Sequence, residues 1–172
     1  DIASVQGLVL ILARFYSTND LGYFGLTNLV LSAPLGLIGG SYKDVFYQKM
    51  ASLINNNDFG TALSFFKKSV VGLFLVGLPI CLIIYFFGVD IFKLVFGDKW
   101  GRSGDFAAIL SASFLIQLVV SPLSSVFNAV NKVRIASFWQ VLYFISTFVT
   151  LGICAFVLKL EITKLLFVYV VH

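Results

Sequence analysis

The stretch LGYFGLTNLVLSAPLGLIGGSYKDVFYQKM, residues 21–50, changes character once, at Tyr42. No Asp, Glu, Lys or Arg occurs from Leu21 to Tyr42, and then Lys43, Asp44, Gln48 and Lys49 follow in quick succession. As a helix the uncharged part reaches about 33 Å, enough to cross roughly 30 Å of hydrocarbon. Pro34 sits inside it and predicts a kink, which a membrane helix tolerates when neighbours satisfy the freed carbonyl. Tyr42 marks the membrane interface, where an aromatic ring with a polar tip is well solvated at both ends. Beyond it the helical pattern persists: Phe46, Met50, Leu53 and Ile54 fall on one face, and Asp44, Gln48, Ser52 and Asn55 on the other. The helix is therefore expected to leave the bilayer as an amphipathic extension and to end at the turn NNND, residues 55–58.

Three further uncharged runs repeat the signal, at 69–89, 106–131 and 135–158. Only 12% of the 172 residues are charged, against about a quarter in soluble domains, and mean hydropathy is +0.99. The fold class that follows is all-α, a polytopic helical membrane protein. The expected complete spans are 21–42, 69–88, 106–131 and 135–158, with partial ones at 2–16 and 163–172. With no initiator Met and an incomplete apolar segment at either end, the chain reads as a single fragment, 1–172, of one helical bundle. Between spans, the link VDIFKLVFGDKWGRSGD, residues 89–105, suggests a short interfacial helix, Trp100 as an aromatic anchor and Ser103 as a helix cap.

The net charge of +4 comes from Lys and Arg in the links, where anionic lipid headgroups are the expected partner and nucleic acid is not. Lys43, Lys49, Lys67, Lys68, Lys132 and Arg134 fall on one side of the membrane; Lys93, Lys99, Arg102, Lys159 and Lys164 fall on the other. The cluster from Lys43 to Lys68 favours that link as cytoplasmic. Cys81 and Cys154 lie in apolar runs without a metal-binding spacing, and the one His, His172, is terminal. Paired intramembrane carboxylates, a Ser/His/Asp set and a phosphate-cradling glycine loop are missing, so no catalytic residues, metal or cofactor are expected and the chain does not read as an enzyme.

Polar stripes run along three spans. Gly25, Asn28, Ser32, Gly36, Gly39 and Lys43 share one face of the first complete span. Ser113, Gln117, Ser121, Ser124 and Asn128 form a second stripe, and Gln140, Tyr143, Thr147, Thr150 and Cys154 a third. Small and polar faces serve helix packing, which is the expected role of the second and third. On the first stripe Asn28 is costly at membrane depth unless it meets protein or water, so this face is a candidate wall of a hydrated cavity. The candidate cavity-lining residues are Arg14, Asn28, Ser32, Gly36 and Lys43. Arg14 could also be a snorkelling anchor near the end of its span.

NDLGYFGLTNLVLSAPLGLIGGSYKDVFYQKMASLINNNDF (19–59), DIFKLVFGDKWGRSGDFAAIL (90–110) and FLIQLVVSPLSSVF (114–127) together resemble the polysaccharide flippases. These belong to the multidrug/oligosaccharidyl-lipid/polysaccharide superfamily and handle O-antigen, capsule or exopolysaccharide repeat units. The resemblance implies two helical bundles around a central cavity, this chain being most of the C-terminal one and the N-terminal bundle of the same full-length chain its partner. It implies movement of a polyprenyl-pyrophosphate-linked oligosaccharide across the bacterial inner membrane by alternating access, with Arg14, Asn28 and Ser32 raised as lining residues. It departs from that family in its sparse intramembrane charge. The alternatives are a multidrug or cation exporter, for which a deep acidic residue is missing, and a membrane-embedded glycan polymerase, for which large polar loops are missing.

Overall fold

A computed structural model describes residues 2–130, 133–156 and 161–171. Residues 131–132 of the expected link NKVR (131–134), the end of the last complete span at 157–158, Lys159, His172 and the Asn128 side chain lie outside the described residues, and residues 133–134 of that link open a helix. The described chain is helical throughout: α1 (Ile2–Phe15), α2 (Thr18–Pro34), a π-helical turn (Leu35–Gly39), α3 (Gly40–Asn55), α4 (Phe59–Phe96), a 3-10 turn (Asp98–Trp100), α5 (Gly101–Leu123), the short α6 (Val126–Ala129), α7 (Val133–Phe156) and α8 (Ile162–Val171). Four stretches are long and apolar enough to cross a membrane: Thr18–Asn55, Phe59–Phe96, Asp98–Leu123 and Ser137–Phe156. Large side chains such as Leu75, Phe86 and Leu94 stand exposed along α4, a surface suited to lipid and not to water. The protein is an all-α polytopic membrane protein.

Several helix ends differ from the sequence expectation. α4 runs unbroken to Phe96, so the first part of the 89–105 link continues a span instead of forming a separate interfacial helix. It stops at Gly97, whose φ of 98° lies in the left-handed region that disfavours residues with a Cβ. Ser103 is not a cap: it lies inside α5, fully buried, and its hydroxyl donates to the Tyr23 carbonyl at 3.1 Å. α5 ends at Leu123, one residue beyond Pro122 and short of the expected 131. At Pro34 the missing N–H interrupts the helical ladder, and the chain answers with the wider π-helical turn before α3 resumes.

The centre of the bundle is the α4–α5 pair. A Cβ on Gly104 would lie 2.5 Å from the Val89 Cα and 2.6 Å from the Gly88 carbonyl oxygen, so the two backbones touch. Further along, the Cys81 thiol donates to the Ser111 carbonyl at 3.2 Å. α2 docks on α5 through Thr27, whose hydroxyl hydrogen is directed at the carbonyls of Tyr23 and Ser103, each at 2.8 Å. Asp20 and Arg102 pair at 3.3 Å, and the Tyr23 and Trp100 rings meet edge to face at 5.8 Å. The α1–α2 turn and the α4–α5 link therefore share one end of the bundle. Trp100, expected as an interfacial anchor, thus has a protein partner in Tyr23.

The α3–α4 hairpin forms the other end. Phe46 is fully buried there with Met50, Leu53, Ala62, Leu73 and Leu123, and its ring stacks on Phe65 at 5.6 Å. The apolar face of the amphipathic extension is thus covered by α4. Tyr42 donates to the Ser69 hydroxyl at 2.7 Å, which in turn donates to the Phe65 carbonyl. Asp58 caps α4 by accepting from the Thr61 N–H at 3.1 Å, and hydrogen bonding to Thr61 holds its carboxyl below the usual range.

The α4–α5 contact sets a prediction. Gly104→Ala in the detergent-solubilised protein is expected to cost about 1–3 kcal/mol, because backbone atoms cannot rotate away from a new methyl. Gly72→Ala, with nothing within 4 Å of the new Cβ, should be neutral or slightly stabilising. Thermal unfolding of the two variants measures the difference.

Candidate functional site: a cavity between α2 and α5

α2 and α5 run side by side in the same direction. Thr27, midway along α2, touches Ser103 near the start of α5, and in the π-helical turn that follows α2 a Cβ on Gly39 would meet Pro122 Cγ at 3.6 Å. Both helices line a cavity of about 320 Å³, with α1 and α8 completing its wall. Asn28 and Ser32, four residues apart, face it from α2. Ser113, Gln117 and Ser121, again at intervals of four, face it from α5. Gln6 reaches it from α1 and Tyr169 from α8. Phe24, Leu31, Leu35, Leu110 and Phe114 supply the apolar part of the wall.

Hydrogen bonding inside the cavity is incomplete. Gln117 donates to the Ser113 hydroxyl over a long 3.4 Å, and Ser32 turns back to the Leu29 carbonyl at 3.1 Å. Among the described residues, the half-buried Asn28 carboxamide meets no hydrogen-bond partner. A primary amide has two donors and an acceptor, and leaving them unmet within an apolar bundle is costly. The side chain is instead directed into space that water or a polar ligand can fill. None of the described lining residues is charged.

Residues 2–105 match a family described as polysaccharide biosynthesis protein. The chain belongs to that family. No curated protein and no solved structure matches it. The family match takes in the α1 and α2 walls of the cavity, with Gln6, Asn28 and Ser32, and agrees with the flippase resemblance of the sequence motifs. The lining residues of α5 and α8 lie beyond the matched residues.

The candidates named from sequence are dispersed. Asn28 and Ser32 stand at the cavity wall. Arg14, Gly36 and Lys43 are exposed and are not among its lining residues. Arg14 lies in the last turn of α1 with its guanidinium carbon 5.8 Å from the centre of the Phe15 ring. Gly36 falls in the π-helical turn, and Lys43 lies past Tyr42 on α3. The α5 stripe, expected to pack, instead supplies three polar lining residues. Gln117 carried the signal that could have found it, since a carboxamide in an apolar run has the same desolvation cost as Asn28. Gln6 and Tyr169 had no partner residues in sequence to mark them. On α7 the third stripe divides, with Thr147 and Cys154 buried and Gln140 and Tyr143 exposed. Gly7 on α1 accepts the α7 ring of Phe148 closely, 3.2 Å from its Cβ position.

Thiol accessibility tests the cavity. In the membrane-embedded protein, the Asn28→Cys, Ser32→Cys and Ser121→Cys variants are expected to react with small aqueous thiol reagents. Leu29→Cys, on the outer face of α2 where the native side chain is 66% exposed to what would be lipid, should react much more slowly. Equal rates at position 29 and at the three lining positions would exclude a water-filled cavity.

Proposed function

We propose that the chain is part of a transporter carrying a polyprenyl-pyrophosphate-linked oligosaccharide across the bacterial cytoplasmic membrane by alternating access. Its cargo would be an O-antigen, capsule or exopolysaccharide repeat unit. The observation that carries this reading is the unpartnered Asn28 carboxamide opening into a cavity of mixed apolar and polar lining within a bundle of helices long and apolar enough to span a membrane. Family membership supports the link to polysaccharide synthesis or export. A cavity between helices at membrane depth is the place where transporters hold their cargo, and the N-terminal bundle of the full-length chain would supply the facing wall. In this reading the protein breaks no bond: its residues supply hydrogen bonds to a moving substrate. Arg14, outside the cavity, is proposed to meet the pyrophosphate at the end of α1, where a guanidinium fork can bind two oxygens at once.

Complementation of a strain lacking the transporter tests the proposal. The full-length double variant Asn28→Leu/Gln117→Leu keeps the side-chain bulk and removes the amides. Surface glycan should fall about 10-fold or more, as when hydrogen bonds worth about 1 kcal/mol each are lost, with lipid-linked repeat units accumulating inside. Normal surface glycan at matched protein abundance would overturn the reading. In the same assay Arg14→Ala should lower surface glycan and Arg14→Lys should restore only part of it. Full activity of Arg14→Ala would reduce Arg14 to a membrane anchor.

A further inference from the structure

We infer that the α2–α5 cavity holds the uncharged sugar part of the cargo and not its pyrophosphate. This rests on the transporter reading above and specifies which portion of the substrate the cavity recognises. The described wall offers no Lys, Arg or His to an anion. A pyrophosphate taken into such a site would lose its hydration without a compensating cation, which is strongly disfavoured. A drug cation fares no better, since the described wall holds no Asp or Glu. A polyprenyl tail would leave the amides without hydrogen bonds, which has a cost of its own.

A sugar ring fits the wall on each count. Its hydroxyls both donate and accept, as do the carboxamides of Gln6, Asn28 and Gln117. Asn28 has its full hydrogen-bonding capacity to offer, and Gln117 spends only one N–H on Ser113. Phe24 and Phe114, each 2% exposed, back the wall as part of the apolar core. At about 320 Å³ the cavity lies at the small end of ligand sites, which span roughly 300–1,000 Å³. It has room for a small part of a repeat unit.

Substrate protection of a cavity thiol tests the inference in the full-length protein. The Leu35→Cys and Ser121→Cys variants, at lining positions that supply no amide, are each first shown to support surface glycan and are then modified with a small aqueous thiol reagent, and the rate without substitution is subtracted. Either variant suffices if the other fails to accumulate. The probes are the phosphate-free oligosaccharide released from the host's own lipid carrier, and inorganic pyrophosphate. The oligosaccharide should slow modification about 10-fold at ten times its half-protecting concentration, and pyrophosphate should leave the rate unchanged. Protection by pyrophosphate, or by neither probe, overturns the inference while leaving the transporter reading in place. If modification itself leaves surface glycan unchanged, the transporter reading falls, and this inference with it.

Discussion

Two glycines, Gly88 and Gly104, let the backbones of α4 and α5 come into direct contact, and the rest of the bundle is arranged around that contact. In lipid there is little hydrophobic force to drive helices together, so close packing and hydrogen bonding must hold them. α5 is the helix most enclosed by others: 44% of its most apolar stretch is buried, against 17–22% in the other spans. α2, α3 and α8 also pack on it. With α5 held at Gly104, its small and hydroxyl side chains are presented to α2 at Ser103 and to the cavity further along.

The same rule separates polar groups bonded within the bundle from those left open to the cavity. Thr27, Ser103, Ser111 and Ser69 are buried hydroxyls bonded to backbone carbonyls, which keeps them satisfied within an apolar bundle. Asn28 lies one residue from Thr27, yet its amide has no such arrangement among the described residues. A helix turns by about 100° per residue, which is enough to put one side chain in the seam and its neighbour in the cavity. That single step divides the packing surface of α2 from its cavity surface.

Two helix interruptions flank the lower part of the cavity wall. The π-helical turn after Pro34 and the end of α5 at Pro122 are brought together where Gly39 meets the Pro122 ring. Below them the α3–α4 hairpin closes over Phe46 and forms its own apolar cluster, to which Leu123 of α5 also contributes. The hairpin is therefore fastened to the same helix that lines the cavity.

Much of this was legible in the sequence, because hydrocarbon is an unforgiving solvent. Uncharged runs of sufficient length announced the spans, the two faces of 44–55 announced the extension, and i, i+4 spacing announced each polar stripe. Asn28 and Ser32 could be singled out because an amide at membrane depth needs a reason to be there. What spacing cannot say is what each stripe faces. Ser113, Gln117 and Ser121 would suit a packed seam equally well, and only the way α1, α2 and α8 are placed around them leaves space in front of them. Ser103 read from sequence as a helix cap, which it is not, because its buried bond to Tyr23 depends on a helix some 80 residues earlier in the chain. Gln6 and Tyr169 come from opposite ends of the chain and share a cavity through tertiary folding alone. Periodicity within one helix sets which residues stand together; the rotation and separation of neighbouring helices, fixed by backbone contacts such as Gly104 against Val89, set what they stand against.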